Sequence, residues 1–275
     1  MLETLTQEKI LPPKADLPTQ EDLPYEDNQP METEQHRLQM ELLISTLKPW
    51  LNQNRSGYVN GNMFVHFRHH NKRDFLGPDV FVVLDVSNQV RKSWVVWQEG
   101  KAPNIVIELL SDTTANHDKS DKKLIYQNEL AVDEYYWFNP FNCEDWAGFE
   151  LIKGVYQPIS PDVQNRLISP CLGLALVRWH GIHDGVEAVW LRWATLRGEL
   201  LLSPQEARDK EAQRANQEAQ RATQEAQRAN QEAQRANQET LRANQAEQRA
   251  VIEARRAQEA EAEIARLKVL LADKK

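Results

Sequence analysis

Apolar positions along the chain change their period several times, and each change marks a new element. Over residues 30–47, Leu38, Met40, Leu42, Leu43 and Leu47 supply the apolar positions of a helix that Pro30 opens and Pro49 ends. From Tyr58 the pattern turns to strands. Met63-Phe64-Val65-His66-Phe67 alternates weakly. Val80-Phe81-Val82-Val83-Leu84 and Ile105-Val106-Ile107-Glu108-Leu109-Leu110 are short unbroken apolar runs, which suggests strands buried on both faces. Trp94-Val95-Val96-Trp97 lies between them and reads as an edge strand or loop element. A helix is expected over 117–129, with Asp112, Thr113 and Thr114 offering caps ahead of it. Residues 134–138 read as a strand stopped by Asn139-Pro140. Two hairpins follow, one turning at Lys153-Gly154 (148–152 with 155–159) and one at Asp184-Gly185 (172–179 with 186–193). Helix, strands, helix, strand and hairpins in this order predict a mixed α/β domain over 31–202.

Beyond residue 202 the period becomes seven. Ala212, Ala215, Ala219, Ala222, Ala226, Ala229, Ala233 and Ala236 recur three and four apart, so they share one stripe of a helix. Alanine has the best helix propensity, and Glu211 three residues before Arg214 adds a favourable pair. A long helix over 203–275 is expected. The alanine seam is shallow, while Ile264, Leu267, Leu270 and Leu271 give the far end a stronger grip. Both a lone solvated helix and a coiled coil that joins two copies fit this pattern.

Composition sharpens the division. All eight Trp residues lie between Trp50 and Trp193, so the middle stretch is the part able to build a core. Residues 1–30 carry seven acids against two bases, with Pro12, Pro13, Pro18 and Pro24, and read as an irregular acidic leader. The net charge is −8, and no segment is strongly basic. Tight non-specific DNA binding is therefore not expected, although a local groove is compatible with the balance. The two cysteines, Cys143 and Cys171, form neither a CxxC pair nor a zinc spacing. No signal peptide and no membrane span are read, so the expectation is a cytoplasmic protein.

The candidate chemistry starts from Glu108. A carboxylate inside an Ile-Val-Ile-x-Leu-Leu strand is costly to bury unless something pairs with it. A divalent cation is such a partner, because Mg2+ takes one or two carboxylates and keeps several waters. Asp79, after Gly77-Pro78 at the start of a neighbouring strand, is a natural second ligand. Lys122 on the following helix can orient or deprotonate an attacking water, and Asp118 one turn before it can hold its side chain.

Residues 103–111, Asp118, Lys122, Tyr126 and 134–140 together resemble the Uma2 family, whose members are classed with restriction endonucleases. The resemblance is greatest to its cyanobacterial branch. It includes Gly61-Asn62-Met63-Phe64-Val65, Gly77-Pro78-Asp79, 92–97, 145–149 and 191–193, and it covers roughly residues 17–205. It implies the PD-(D/E)xK nuclease fold, a mixed central sheet flanked by helices. It also implies that Asp79 and Glu108 bind Mg2+ (or Mn2+), assisted by the main-chain carbonyl near Leu109, and that the substrate is DNA. The superfamily's lysine usually stands two residues after the acidic strand residue. Here that position is Leu110, and Lys122 takes the role from the helix. Asp112 stands where relatives often have Pro, and reads as a helix cap.

The remaining candidates read more plainly. His36 resembles a histidine often seen at this place in the family, and reads as a solvated or core-edge residue. Glu34 and Glu41 stand on the same helix, whose acids reach the metal in some related nucleases, but are the weaker candidates for that role. His66, Arg68, His69, His70, Lys72 and Arg73 form the one local basic patch, with equal claims as a phosphate contact and as a surface loop. Tyr126 and the tryptophans read as core. No GxSxG elbow and no phosphate-cradling glycine loop occurs. The expected activity is metal-dependent hydrolysis of DNA, by a homodimer if both strands are cut, with the tail able to supply the pairing. The alternative is a catalytically silent nuclease-like scaffold that binds nucleic acid or a protein through its tail.

Overall fold

The structure, a computed structural model, describes residues 17–23, 33–70, 74–111 and 115–272, with side chains as far as 266. Pro30, Lys72, Arg73, Asp112, Thr113 and Thr114 lie outside the described residues, as does most of the leader. Two compact units are distinguished, residues 1–207 and 208–275.

The first helix, α1, spans Glu34–Asn54, with Thr33 as its N-cap. Pro49 does not end it, contrary to the sequence expectation. A proline in a helix interior costs about 3 kcal/mol. Leu47 and Leu51 on either side of it are buried, and Trp50 packs on the same core. Burial of these side chains outweighs the lost hydrogen bond.

The strands follow as β1 (Gly57–Asn60), β2 (Val65–His66), β3 (Phe75–Leu76), β4 (Val80–Leu84) and β5 (Trp94–Val95). The 94–97 segment is only half strand, since Val96–Glu99 forms the short helix α2. β6 (Ile105–Leu109) and β7 (Glu134–Phe138) run parallel. Parallel neighbours require a crossover. Here it is α3 (Ala115–His117), a π-helical turn (Asp118–Lys122) and α4 (Lys123–Asn128). β8 (Trp146–Ile152) and β9 (Val155–Pro158) form the first hairpin, and β11 (Leu174–His183) and β12 (Val186–Thr195) the second. Both turn through residues with positive φ, Lys153-Gly154 and Asp184-Gly185, the backbone that two-residue hairpins demand. β10 (Leu167–Ser169), not expected from the sequence, extends the second hairpin to three strands.

The central sheet has the order β1-β4-β6-β7-β8-β9 and is mixed. β4 and β6 are buried at every position, as their unbroken apolar runs predict. Val80, Val82, Ile105, Ile107 and Leu109 pack with Leu43 and Leu47 of α1 and with Leu174, Leu176 and Trp193 of the second hairpin. Phe81, Val83 and Val106 alternate to the opposite face, where Tyr126 of α4, Trp94 and Tyr135 cover them. Glu108 has the parity of Val106. It therefore belongs to the face beneath the crossover.

The chain ends in α5 (Pro204–Ala272), a single helix of 69 residues. Its start is closed by a reciprocal cap. Ser203 Oγ accepts from Glu206 N–H at 3.2 Å, and Glu206 Oε2 accepts from Ser203 N–H at 2.7 Å. Pro204 takes the first helical position, where its missing N–H costs nothing. Described side chains from Ala207 on are exposed, with Arg214–Glu218 and Arg255–Glu259 paired one turn apart. No helix among the described residues is long and apolar enough to cross a membrane.

Candidate active site

β4 and β6 are antiparallel, with Val80 opposite Ile107. One step further along the same register sets Asp79 opposite Glu108, on one face of the sheet. Gly61 makes this approach possible. A Cβ there would stand 1.9 Å from the Asp79 carbonyl oxygen, so only glycine lets the end of β1 lie against Asp79. Asn62 N–H donates to the Pro78 carbonyl at 3.1 Å and ties the same turn.

Asp79 caps the strand beside it. Its Oδ2 accepts from Leu109 N–H at 2.7 Å, in place of a ladder partner. Its Oδ1 lies 3.3 Å from His36 Nε2 at the start of α1. Its side chain remains 25% exposed, so the carboxylate keeps an open side.

Glu108 is fully buried. Its Oε1 accepts from the Tyr126 hydroxyl at 2.8 Å, and its Oε2 lies 3.2 Å from Lys122 Nζ. Burial pushes the Glu108 carboxyl up, to about 8, against the pull of Lys122, with Asp79 and Asp118 adding to the upward push. Burial alone would draw the Lys122 ammonium down. Glu108 and Asp118 outweigh it and hold the Lys122 pKa above its ordinary value.

The crossover places the lysine. Lys122 Nζ lies 2.7 Å from Asp118 Oδ1, and Asp118 is itself buried. The Asp118 carbonyl accepts from the Tyr135 hydroxyl at 2.7 Å, which fastens this turn to β7. Asp118 and Lys122 begin and end the π-helical turn. Such turns are rare and often mark functional positions.

The structure thus brings Asp79, Glu108, Lys122 and Asp118 together and sets Leu109 beside them through its N–H. It leaves Glu34 exposed, and Glu41 is exposed and tied to Arg37. In the basic patch, Arg68 is engaged by Asp74 and Glu129, and His66 is buried. Tyr126 is core, as read, but its hydroxyl also serves Glu108. The spacing Asp118, Lys122, Tyr126 (one face of a helix) carries that signal. The His36 contact to Asp79 has no such local signal.

Among the described residues no group of three or more His, Cys, Asp or Glu side chains is arranged to hold a metal ion. The chemistry of the cluster still suits a hard divalent cation. Glu108 and Asp118 contact the Lys122 ammonium, and Asp79 stands opposite Glu108 across β4 and β6. The donors facing a cation would be oxygen, and Mg2+ needs only one or two protein carboxylates beside its waters.

A mixed α/β domain carrying this cluster at a sheet end has the restriction-endonuclease-like architecture. The chain belongs to the Uma2 family: the family model, described as "Putative restriction endonuclease", matches residues 21–180 of the 275. No curated protein matches the chain. Among solved structures it is similar to one described as a "putative nuclease belonging to DUF820" from Anabaena variabilis, at 14% identity and a TM-score of 0.39. That likeness covers 52% of this chain and 76% of the other. The family places the protein among nucleases, enzymes acting on nucleic acid.

Proposed function

We propose that the protein is a Mg2+-dependent endodeoxyribonuclease that hydrolyses DNA phosphodiester bonds. The observation that carries this reading is the reach of Lys122 from the crossover helix to Glu108, at 3.2 Å. Asp79 and Glu108 would hold the cation, with the main-chain carbonyl of Leu109 as a further donor. When bound, Mg2+ supplies Lewis-acid stabilisation of the charge that builds on the phosphate.

The residues divide the remaining work. Lys122 is held as a cation beside Glu108 and Asp118, so it acts as a donor rather than a base. It orients the attacking water and balances charge on the phosphate oxygens. The water oxygen bonds to phosphorus while the phosphorus–oxygen bond to the leaving sugar breaks, the water giving up its proton to solvent and the leaving sugar oxygen taking one from solvent. Asp118 positions Lys122 through their ion pair. Tyr126 fixes the orientation of Glu108.

Lys123, next on the crossover helix, extends the site toward substrate. Its Nζ lies 3.3 Å from the Phe149 ring centroid and 5.6 Å from that of Trp137, and Trp137 is paired with Glu108 across β6 and β7. No carboxylate among the described residues pairs with it. Lys123 is thus disposed to contact a backbone phosphate.

Residues 31–202 would form the catalytic domain. Cutting both strands calls for two copies, and the alanine stripe of α5 is the surface we assign to that pairing. A full chain at twice its own monomer mass in solution, beside a chain ending at residue 203 that stays at its monomer mass, supports the pairing, and monomeric behaviour of both removes it. The activity is tested with supercoiled plasmid. Wild type should nick it with Mg2+ or Mn2+ and not with chelator. Asp79→Ala and Glu108→Gln should abolish the nicking, and variants as active as wild type would refute the proposal.

A further inference from the structure

We propose that His36 is a positioning residue of this site, one that fixes the orientation in which Asp79 meets a divalent cation. The inference rests on the nuclease reading above and adds to it a residue from α1.

Asp79 is approached by one donor on each oxygen, from two different elements. Leu109 N–H of β6 holds Oδ2 at 2.7 Å, and His36 Nε2 of α1 holds Oδ1 at 3.3 Å. Each oxygen keeps a second lone pair, and the side chain is a quarter exposed. With only the Leu109 contact, the carboxylate could turn about its last torsion, which is broad and roughly two-fold for aspartate. Two donors remove that freedom.

The start of α1 is held as though its rotation matters. Thr33 Oγ1 accepts from His36 N–H at 3.1 Å and sets the first turn. Gln35 Nε2 donates to the Pro140 carbonyl at 2.9 Å, at the end of the strand beside β6. One turn on, Gln39 is fully buried and clamped twice to Leu191, at 2.8 Å each way. These contacts aim His36 inward.

The buried stripe of α1 is otherwise nearly all leucine: Leu38, Leu42, Leu43, Leu47 and Leu51. An imidazole among them costs desolvation that a leucine would not. Gln39 meets that cost through Leu191, and His36 meets it at Asp79. The two surface acids of the same helix, Glu34 and Glu41, take no part. α1 therefore serves the site through a donor to the ligand rather than through a ligand of its own. Groups that hold metal-binding side chains in place are typically worth about 10–100-fold in metal affinity or activity.

The test uses the full chain with Mn2+ as probe, its binding followed by titration calorimetry and by the electron paramagnetic resonance of free Mn2+. Four variants are compared with wild type: His36→Leu, His36→Gln, His36→Asn and Asp79→Asn. Gln carries an N–H donor where Nε2 stands, and Asn is too short to reach. Mn2+ binding should weaken roughly 10–100-fold in His36→Leu and His36→Asn. His36→Gln should recover most of it, and plasmid nicking should follow the same order. The metal-free melting temperature should not follow that order. If His36→Leu fails to fold, the Gln and Asn pair decides. Wild-type binding in His36→Leu or His36→Asn, or equal loss in Gln and Asn, overturns the role of His36. Wild-type binding in Asp79→Asn would instead overturn the metal-site reading itself.

Discussion

The Tyr126 hydroxyl donates to Glu108 Oε1 at 2.8 Å, and both side chains are fully buried. Tyr126→Phe keeps the ring and its packing but deletes this donor. The tyrosine bond draws the Glu108 pKa down, so its loss lets the pKa rise. The acid limb of the pH–rate profile should move to higher pH, with little change in the plateau. A limb that stays in place or moves down contradicts the assigned role. Leaving a buried acceptor unsatisfied should also cost about 1–3 kcal/mol of stability, measured by urea denaturation.

Glu108 also sets a pH dependence of stability. Its ordinary pKa of 4.5 is raised to about 8 in the folded chain, by burial above all. The folded state then binds more protons than the unfolded state between those values, so stability falls as pH rises. This contribution is fully present below about pH 4.5 and lost as pH passes about 8. In metal-free protein the loss should be seen in wild type and be absent from Glu108→Gln. Divalent cation needs the ionised carboxyl, so its apparent affinity should climb over the same window. Parallel stability curves for the two proteins would count against the buried, neutral Glu108.

Gly61→Ala should disturb the site from outside it. The new Cβ would meet the Asp79 carbonyl at 1.9 Å, and backbone cannot step aside as a side chain can. A destabilisation of about 1–3 kcal/mol is expected from such overpacking, with a loss of nicking larger than the lost folded fraction explains. Unchanged melting and activity would show that β1 does not hold Asp79 in place.

Lys123→Ala should weaken DNA binding without weakening Mn2+ binding. Measured in a Glu108→Gln background, where cleavage is off, the slope of log affinity against log salt should fall by about one. An unchanged slope would remove Lys123 from the phosphate path.

Much of this fold is legible in the sequence because burial leaves plain traces. Unbroken apolar runs mark β4 and β6, Lys153-Gly154 marks the β8–β9 hairpin and Asp184-Gly185 the β11–β12 hairpin. Glu108 stands out because a charge interrupts one of those runs. Lys122 is found from its spacing to Asp118 and from the family resemblance. What escapes the sequence depends on contacts between distant elements. Pro49 reads as a stop because its local cost is visible, whereas the core that holds Leu47 and Leu51 is not. β10 is three residues long and becomes a strand only through β11. His36 and Asp79 are 43 positions apart by number, and nothing near either residue announces the other. The Tyr126 hydroxyl is hidden by the same logic: the ring is enough to explain the residue.

Lys122→Met is the most direct test of the central claim. Methionine keeps much of the lysine stem and removes its charge, so the packing of the crossover helix is largely kept. Nicking of supercoiled plasmid should be followed under single-turnover conditions at saturating Mg2+, beside Mn2+ binding to the same protein. The cleavage step should slow at least about 100-fold, the lower end of the range for removing one preorganised donor to developing charge, while Mn2+ still binds. A variant that cuts at the wild-type rate would show that Lys122 does no chemistry at the Asp79–Glu108 pair.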